Sequence, residues 1–363
     1  MSRLRGSAWV AAVAGVGLGA GPAGAGPRAF GPSEVLYGMS AVSAGDGWAV
    51  GSYATVGQPK TVALRWNGRS WTRVPTPSPR SDFAFLTAAS MVSGRDAWAV
   101  GPGIILHWDG TSWRDVPSPI ASDYLTGVSA VSASDAWAVG HVGLVAANRA
   151  VILHWDGTSW LPAKVPDVGS SGTIAGVSAV SATDVWAVGS SGGSDGRLQG
   201  SRSFALHWDG TSWTRVGVPS PRPGAKLLGV SARSGRDVWA VGDVGNDTTS
   251  RPMIVHWNGR SWRSVRSPAV GGGELVAVSA SSSHDAWAAG SAGGQRTMTM
   301  HWNGHAWTQV KTPSPGGAGT GALLAGVSVR SPGGAWAVGD YGTTSGGAKV
   351  LILRWDGRAW KVT

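Results

Sequence analysis

The sequence predicts an all-β fold built from seven copies of one four-stranded unit. The first observation is a hairpin segment, Leu-His-Trp-Asp-Gly-Thr-Ser-Trp in its clearest copy at residues 206–213, which recurs seven times with Asp-Gly or Asn-Gly at its centre. The second is a Trp-Ala-Val-Gly block, with one Ala variant, upstream of each copy. Three tryptophans per unit account for all but one of the 22 in the chain. A period of about 50 residues with this content indicates a repeat architecture.

Residues 124–166 show how one unit divides into strands. Short apolar runs cover residues 125–131, 136–140, 151–155 and 160–165, with polar turns or loops between them. No segment has a helical period, so we label the strands A, B, C and D and expect all of them to be antiparallel. Asp156-Gly157 predicts a two-residue type I′ turn, which requires positive φ at both positions.

Seven such units predict a seven-bladed β-propeller with four antiparallel strands per blade and each blade continuous in sequence. A solenoid is the alternative, but it would need polar caps, and the first and last units resemble the others. Strand A has small side chains, which suits the axis. Strand D ends in Pro-rich pieces, which suits an exposed edge. The expected blades cover about 34–78, 79–119, 120–166, 167–221, 222–268, 269–315 and 316–363.

The first 25 residues have the pattern of a secretory signal peptide. A basic start precedes an apolar stretch over residues 8–20 and a small-residue site ending at Ala25, where we expect cleavage. Residues 26–33 then form a short linker. Because no second hydrophobic segment follows, we expect a secreted, extracellular monomer without a membrane span. The absence of cysteine excludes disulfides and cysteine-based metal or nucleophile sites.

The chain resembles the Asp-box propellers, which include sialidase-type repeats and photosystem assembly factor-like proteins, and also secreted propellers of high-GC bacteria. The likeness is carried by Gly-Trp-Ala-Val-Gly at residues 47–51 and Asp-Gly-Thr-Ser-Trp at residues 209–213. The usual Asp-box has one more residue between Asp and Trp, and Ser or Thr where this chain has His or Arg. The resemblance implies the fold and leaves the activity open.

Two repeated side-chain rows are interpreted as structural. Histidines occupy one strand C position in five units, with Arg65 and Arg354 in the other two. Equivalent points on different blades are too far apart to share a metal ion, so we expect each to contact the Asp that begins strand B. Gly334 replaces that Asp in the last unit, where the contact should be missing. The tryptophan rows are interpreted as packing between blades, least securely on strand D.

A binding site is expected where the loops vary. The D–A connections and B–C loops share one face and differ in length, whereas the A–B and C–D turns are nearly uniform. The mouth of the central channel on the variable face is therefore the candidate site. Its candidate binding residues are Glu34, Tyr37, Asp82, Phe83, Phe85, Asp123, Tyr124, Lys226 and Glu274. Outer contacts are expected from Arg149, Arg197, Arg202, Asp247, Arg251, Arg296 and Tyr341.

Three functions are compatible with this arrangement. The leading hypothesis is a non-enzymatic binding or scaffold propeller that recognises an extracellular glycan or protein. The alternative is a polysaccharide hydrolase or lyase with carboxylates at the channel mouth, drawn from Glu34, Asp82, Asp123 and Glu274. The formal charge of +10 suggests a third function, the binding of an anionic polymer, although no tight basic run exists. No catalytic residue, metal ligand or cofactor is assigned.

Overall fold

The structure is a computed structural model that describes residues 33–54, 59–78, 84–143, 148–192, 200–220, 223–245, 250–293, 295–316, 320–331, 333–344 and 346–363. These residues form seven four-stranded sheets and contain no helix. Every sheet is antiparallel, and its strands follow one another in sequence order. The predicted all-β, seven-bladed propeller with blades continuous in sequence is confirmed.

The strands are numbered along the chain and run from A to D within each blade. Blade one contains Ser33–Ser43 (β1), Asp46–Ala54 (β2), Pro59–Trp66 (β3) and Trp71–Val74 (β4). Blade two contains Ala88–Ser93 (β5), Asp96–Gly101 (β6), Ile104–Trp108 (β7) and Trp113–Asp115 (β8). Blade three contains Asp123–Ser132 (β9), Asp135–Val142 (β10), Arg149–Trp155 (β11) and Trp160–Pro162 (β12). Blade four contains Thr173–Ser181 (β13), Asp184–Ser191 (β14), Arg202–Trp208 (β15) and Trp213–Val216 (β16).

The remaining three blades repeat the same order. Blade five contains Ala225–Ser234 (β17), Asp237–Val244 (β18), Arg251–Trp257 (β19) and Trp262–Ser264 (β20). Blade six contains Gly273–Ser282 (β21), Asp285–Ala292 (β22), Arg296–Trp302 (β23) and Trp307–Val310 (β24). Blade seven contains Ala322–Ser331 (β25), Gly334–Gly342 (β26), Ala348–Trp355 (β27) and Trp360–Val362 (β28). The A strands contact one another in blade order, and β25 contacts β1, which closes the ring.

The tryptophans fill the seams between blades. Trp137 of β10 is 1% exposed and packs on Trp208 and Trp213 of the next blade, with ring centroids 5.1 and 5.3 Å away. The same three-ring contact recurs at all seven seams. The strand D rings are buried in six blades, and only Trp71 is half-buried. The packing interpretation is confirmed for the strand D row as well.

Serine hydroxyls join the A strands around the axis. The Ser90 hydroxyl accepts a hydrogen bond from the Ala130 amide at 3.0 Å, and Ser129 accepts one from Ala179 at 3.0 Å. Six consecutive seams carry this bond. At the closing seam the Arg330 guanidinium donates to the Ala41 carbonyl. The small, hydroxyl-bearing side chains of strand A therefore satisfy backbone groups in a crowded centre.

The strand B glycine of each unit is required by a close approach. Strand A carries a β-bulge opposite it, as between Leu125 and Gly127, and this brings the strand A carbonyl close to Gly140. A Cβ on Gly140 would lie 2.1 Å from the Tyr124 carbonyl oxygen. The equivalent distance is about 2 Å in all seven blades, so only glycine fits.

The predicted two-residue type I′ hairpin is wrong. Trp155 pairs with Trp160, which leaves a four-residue loop in which the Asp156 amide donates to the Ser159 carbonyl at 3.3 Å. Gly157 has a φ of +95°, whereas Asp156 does not have positive φ. The Asp156 carboxylate accepts hydrogen bonds from the Thr158 and Ser159 amides, and these bonds select the longer turn.

The histidine row braces strand B as expected. His154 Nε2 lies 2.9 Å from Asp135 Oδ1 within blade three. The same pair occurs at 2.8–2.9 Å in blades two, four, five and six. Arg65 makes the equivalent contact with Asp46 at 3.3 Å in blade one. These contacts lie within hydrogen-bond reach and confirm the structural interpretation.

Candidate functional site

A cavity of about 170 Å³ opens where the A strands begin and the B strands end, on the face of the variable loops. A second space of about 200 Å³ continues down the axis and is lined by the bulged parts of the A strands. Its wall includes the bulge residues Tyr37, Thr126, Ala175, Leu228, Val276 and Ala325. The walls of the mouth thus come from equivalent positions on different A strands, which the closed ring of blades places around the axis.

Aromatic rings from blades one to three form one side of the mouth. Tyr37 packs against Phe85 with ring centroids 5.5 Å apart, and Phe85 packs against Tyr124 at 6.0 Å. Tyr124 stacks on His141 at 4.9 Å with an interplanar angle of 17°. Tyr37, Tyr124 and His141 line the cavity directly. We call Tyr37, Phe85, Tyr124 and His141 the aromatic arc.

Two polar atoms of the aromatic arc are buried and have no hydrogen-bond partner among the described residues. They are the Tyr124 hydroxyl and Nδ1 of His141. Burial raises the pKa of Tyr124 and lowers that of His141, so both side chains are neutral at pH 7. A buried polar atom without a partner costs free energy, so these two atoms are suited to bond a ligand.

A charged cluster from blades five and six reaches the mouth through one of its side chains, Glu274. Lys226 and Asp243 are almost fully buried and form an ion pair of 3.3 Å. Glu274 of the next blade lines the cavity and is half-buried. Burial and the neighbouring Asp243 raise the pKa of Glu274, while Lys226 opposes the shift. The Ser250 hydroxyl also donates to Asp243 at 2.5 Å, which fixes this carboxylate.

Asp340 adds a buried carboxyl from blade seven. Asp340 follows the invariant glycine of strand B. His141 and Ser291 have the same position in their blades, and these two side chains line the cavity. Asp340 is 7% exposed, and its Oδ1 has no hydrogen-bond partner among the described residues. Burial raises the pKa of Asp340 to about 7. Its charge also contributes to the raised pKa of Tyr37 on blade one, after the larger effect of burial.

The candidate residues divide into three groups. Tyr37, Tyr124 and Glu274 line the cavity, with Phe85 packed behind Tyr37 and Tyr124. Lys226 is buried rather than open to solvent because Asp243 pairs with it. Of the other four, Glu34 and Asp123 lie away from the cavity, and Asp82 and Phe83 are outside the described residues.

Two of the predicted carboxylates are engaged away from the cavity. Glu34 is directed outward to Arg73 of β4, with 2.6 Å between Oε1 and the guanidinium. Asp123 is 2% exposed and accepts a hydrogen bond from the Ser118 hydroxyl at 2.5 Å. The expectation that these two face the mouth is therefore not met. Asp82 and Phe83 lie outside the described residues.

The expected outer contacts are partly placed. Arg149, Arg202, Arg251 and Arg296 are exposed at the first residue of their C strands. Tyr341 instead packs against the core of blade seven. Arg197 and Asp247 lie outside the described residues.

Sequence reasoning missed His141, Asp243 and Asp340. All three follow the glycine of the Trp-Ala-Val-Gly block, where the seven units differ in side chain although the block itself is constant. Length variation in the D–A connections indicates the face of the site but not these three residues. The informative signal was a single variable position beside an invariant one.

No helix in the described ranges is long and apolar enough to cross a membrane. Within the same residues, no group of three or more His, Asp or Glu side chains is arranged to hold a metal ion.

The chain is thus a seven-bladed β-propeller with a mixed aromatic and acidic cavity at one end of its channel. Its fold is similar to that of YCF48 bound to a D1 peptide, with 16% identity, a TM-score of 0.58 and coverage of 89% of this chain and 93% of that one. It is also similar to streptogramin B lyase, with 14% identity, a TM-score of 0.58 and coverage of 90% and 100%. A fucose-specific lectin from Aleuria aurantia matches with 14% identity, a TM-score of 0.52 and coverage of 91% and 94%. No protein-family model and no curated protein matches the sequence.

Proposed function

We propose that this protein is a secreted, non-enzymatic binding propeller that takes part of an extracellular glycan or protein into the mouth of its central channel. The observation that supports this proposal is the aromatic arc, three of whose residues line one cavity together with Glu274. Aromatic faces bury the apolar side of a sugar ring or a peptide side chain, and the few polar groups fix its orientation. The similar propellers include one that holds a peptide and one that is fucose-specific, which supports the two ligand classes.

The size of the cavity limits what enters it. About 170 Å³ is below the roughly 300–1,000 Å³ typical of sites for drug-sized ligands. A single side chain or sugar ring therefore enters, while the rest of the partner lies on the surrounding loops. The exposed arginines Arg149, Arg202, Arg251 and Arg296 are available there.

Binding of a glycan array and a peptide array by the protein without residues 1–25 tests this proposal. Tyr124→Phe removes the buried hydroxyl, which has no partner in the described part of the chain, and keeps the ring stacked on His141, so we expect at least a several-fold loss of affinity for each hit. Leu161→Ala, at an exposed position on the rim of blade three, is the matched control and should bind normally. Absence of any hit, or unchanged binding by both Tyr124→Phe and Tyr37→Ala, would reject the site.

The polysaccharide hydrolase or lyase remains the alternative because Glu274, which lines the cavity, has a raised pKa. Asp340, a buried carboxyl on the next blade, also has a raised pKa, and groups with perturbed pKa values are common in catalytic pairs. Release of new reducing ends or unsaturated products from a panel of polysaccharides would support this alternative. The activity should then disappear in both Glu274→Gln and Asp340→Asn.

An anionic polymer is the second alternative, and the arginines of blade five favour it. Arg236, Arg260, Arg263 and Arg266 are exposed, and none of the four forms an ion pair with another described residue. Arg236 lies at the A–B turn, Arg260 at the C–D turn and Arg263 on strand D, away from the mouth, and Arg266 follows strand D in the connection to the next blade. Retention on heparin that falls steeply with salt and weakens in Arg260→Ala/Arg263→Ala would support this second surface.

Export is part of the proposal and has its own test. The basic start, the apolar stretch over residues 8–20 and the small residues before Gly26 support cleavage near Ala25. Expression of the full chain in a secreting host should place the protein in the medium with a new N-terminus near Gly26. Protein retained in the cell with residues 1–25 attached would contradict it.

A further inference from the structure

We infer that the channel mouth takes an apolar side chain, aliphatic or aromatic, from a protein partner rather than a sugar from a glycan. The inference rests on the proposed binding function and names the class of partner and the group that enters. The observation that carries it is the ring of side chains at the base of the mouth, which is mostly hydrocarbon.

Seven residues, one from each blade, line both the mouth cavity and the space that continues down the axis, and we call this ring the floor of the mouth. Four of the seven have pure hydrocarbon side chains and come from the consecutive blades four to seven: Ala175, Leu228, Val276 and Ala325. A hydroxyl pressed against these four side chains would lose its water without gaining a hydrogen bond from them, which costs free energy.

Two of the other floor residues are threonines whose hydroxyl protons are already used. Thr126 Oγ1 lies 3.1 Å from the Val139 carbonyl oxygen and 2.7 Å from the Ile174 carbonyl oxygen. Thr87 makes the equivalent pair of contacts with two carbonyl oxygens, at 2.9 and 2.8 Å. A hydroxyl has one proton to donate, so neither threonine can donate to a ligand without giving up a backbone contact. The seventh floor residue, Tyr37, contributes an aromatic ring.

The polar groups of the mouth lie nearer its opening than the floor does. Tyr124, His141, Glu274 and Ser291 line the mouth cavity but not the space below it. The Tyr124 hydroxyl and Nδ1 of His141 have no hydrogen-bond partner among the described residues. The mouth therefore has two levels, with apolar contacts at the base and hydrogen-bonding groups around the entrance.

A peptide matches these two levels better than a sugar does. An apolar side chain can fill the base, while the N–H and C=O groups of the peptide backbone beside it reach the polar groups at the entrance. A sugar ring carries hydroxyls around its whole edge, so whichever edge enters first brings hydroxyls to the hydrocarbon floor. Fucose is the sugar best suited to compete, because its methyl group replaces one of those hydroxyls.

Matched peptides and sugars test the inference. The peptides are acetyl-Gly-Leu-Gly-amide, acetyl-Gly-Phe-Gly-amide and acetyl-Gly-Asn-Gly-amide, in which Leu and Asn have nearly the same shape and differ in polarity. The sugars are methyl fucoside and methyl glucoside. Dissociation constants are measured by ligand-observed NMR titration against the protein. We expect the Leu or the Phe peptide to bind about tenfold or more tightly than the Asn peptide and than either sugar.

Two floor variants locate the preference. Val276→Thr replaces a methyl group by a hydroxyl at nearly constant volume and should weaken the Leu peptide several-fold. Ala175→Leu fills part of the floor and should abolish its binding. Val362→Thr makes the first substitution at a position of β28 that is 58% exposed, and it should leave binding unchanged. Melting temperatures of all three variants verify that they are folded.

The outcomes separate this inference from the proposed function. Equal affinity for the Leu and Asn peptides, or binding of the Leu peptide that survives both floor variants, would overturn the inference. Tighter binding of either sugar, weakened by Tyr124→Phe, would also overturn it and leave the binding function in place. If no probe and no array member depends on Tyr37 or Tyr124, the inference and the proposed function fail together.

Discussion

Trp336 of the last blade packs against Trp66 of the first, with ring centroids 4.9 Å apart. Trp71 lies 5.4 Å from Trp336 in an edge-on arrangement, so the last seam has the same three rings as every other. No strand is shared between the first and last blades among the described residues. Closure of the ring therefore depends on side-chain packing, with the Arg330 to Ala41 hydrogen bond at the axis.

Removal of the closing ring should destabilise the whole propeller. Trp336 is 5% exposed, and truncation of a buried Trp to Ala typically costs about 3–5 kcal/mol. We expect Trp336→Ala to lower the free energy of unfolding by about this amount in urea denaturation. Leu161→Ala, at a position that is 48% exposed, should change it by less than about 0.5 kcal/mol. A loss of similar size in both variants would contradict the role of this seam.

The repeat could be predicted from sequence because every unit packs the same three tryptophans across a seam between blades. Trp137, Trp208 and Trp213 must meet across a seam, so their spacing is fixed and visible in each copy. The Asp156 turn was misjudged because a side chain, rather than the two backbone positions alone, decides its length. Blade number and strand order depend on the repeated pattern, whereas turn type depends on local hydrogen bonds.

The candidate site was only partly predictable for a different reason. Tyr37, Tyr124 and Glu274 were found because they are unusual residues at the start of strand A. Asp340 and His141 were not predicted, because the strand B position after the glycine reaches the cavity only in the closed ring and only in some blades, as His141 and Ser291 do. Glu34 shows the converse, since its side chain reaches Arg73 on the outermost strand of its own blade.

The glycine opposite the strand A bulge gives a sharp test of the backbone geometry. Gly140→Ala would place a Cβ 2.1 Å from the Tyr124 carbonyl oxygen, so the two strands must separate. We expect a large loss of stability and an altered mouth, seen as a lower melting temperature and weaker binding of any array hit. Gly217→Ala is the matched control because a Cβ there meets nothing within 4 Å. Equal melting temperatures for both variants would show that the Tyr124 carbonyl does not closely approach Gly140.

The His256–Asp237 pair should make stability depend on pH in acid. His256 Nε2 lies 2.8 Å from Asp237 Oδ1, and this hydrogen bond lowers the pKa of Asp237, with Arg233 assisting and burial opposing. A carboxyl whose folded pKa is depressed stabilises the fold above its unfolded pKa of about 3.9. That contribution is lost as the pH falls through the lower, folded pKa.

Asp237→Asn should therefore reduce the free energy of unfolding by about 1–3 kcal/mol at pH 7, the value of a hydrogen bond to a charged group. The difference from the native protein should shrink as the pH falls below about 3.9. Urea denaturation at pH 7 and at pH 3 measures both values, with Asp115→Asn as an exposed control. A difference that stays constant between the two pH values would assign the loss to packing instead of charge.

Asp340 should produce the opposite dependence on pH. Burial raises the pKa of Asp340 to about 7, well above its unfolded value of about 3.9. The folded protein therefore binds more protons than the unfolded chain between these two values, and stability falls as the pH rises through that window. Below about pH 4 both states are protonated and the effect is absent. Above about pH 7 the full cost of the buried carboxylate is present.

Asp340→Asn removes this cost while it keeps the size and shape of the side chain. We expect the variant to be more stable than the native protein by about 2–4 kcal/mol at pH 8 and equally stable at pH 4, since a shift of one pKa unit corresponds to about 1.4 kcal/mol. Thermal unfolding at the two pH values tests the prediction. A variant that gains stability at both pH values would point to packing. A variant that loses stability at pH 8 would show that the ionised Asp340 already has a partner in the free protein, because only a compensated charge stabilises a buried site.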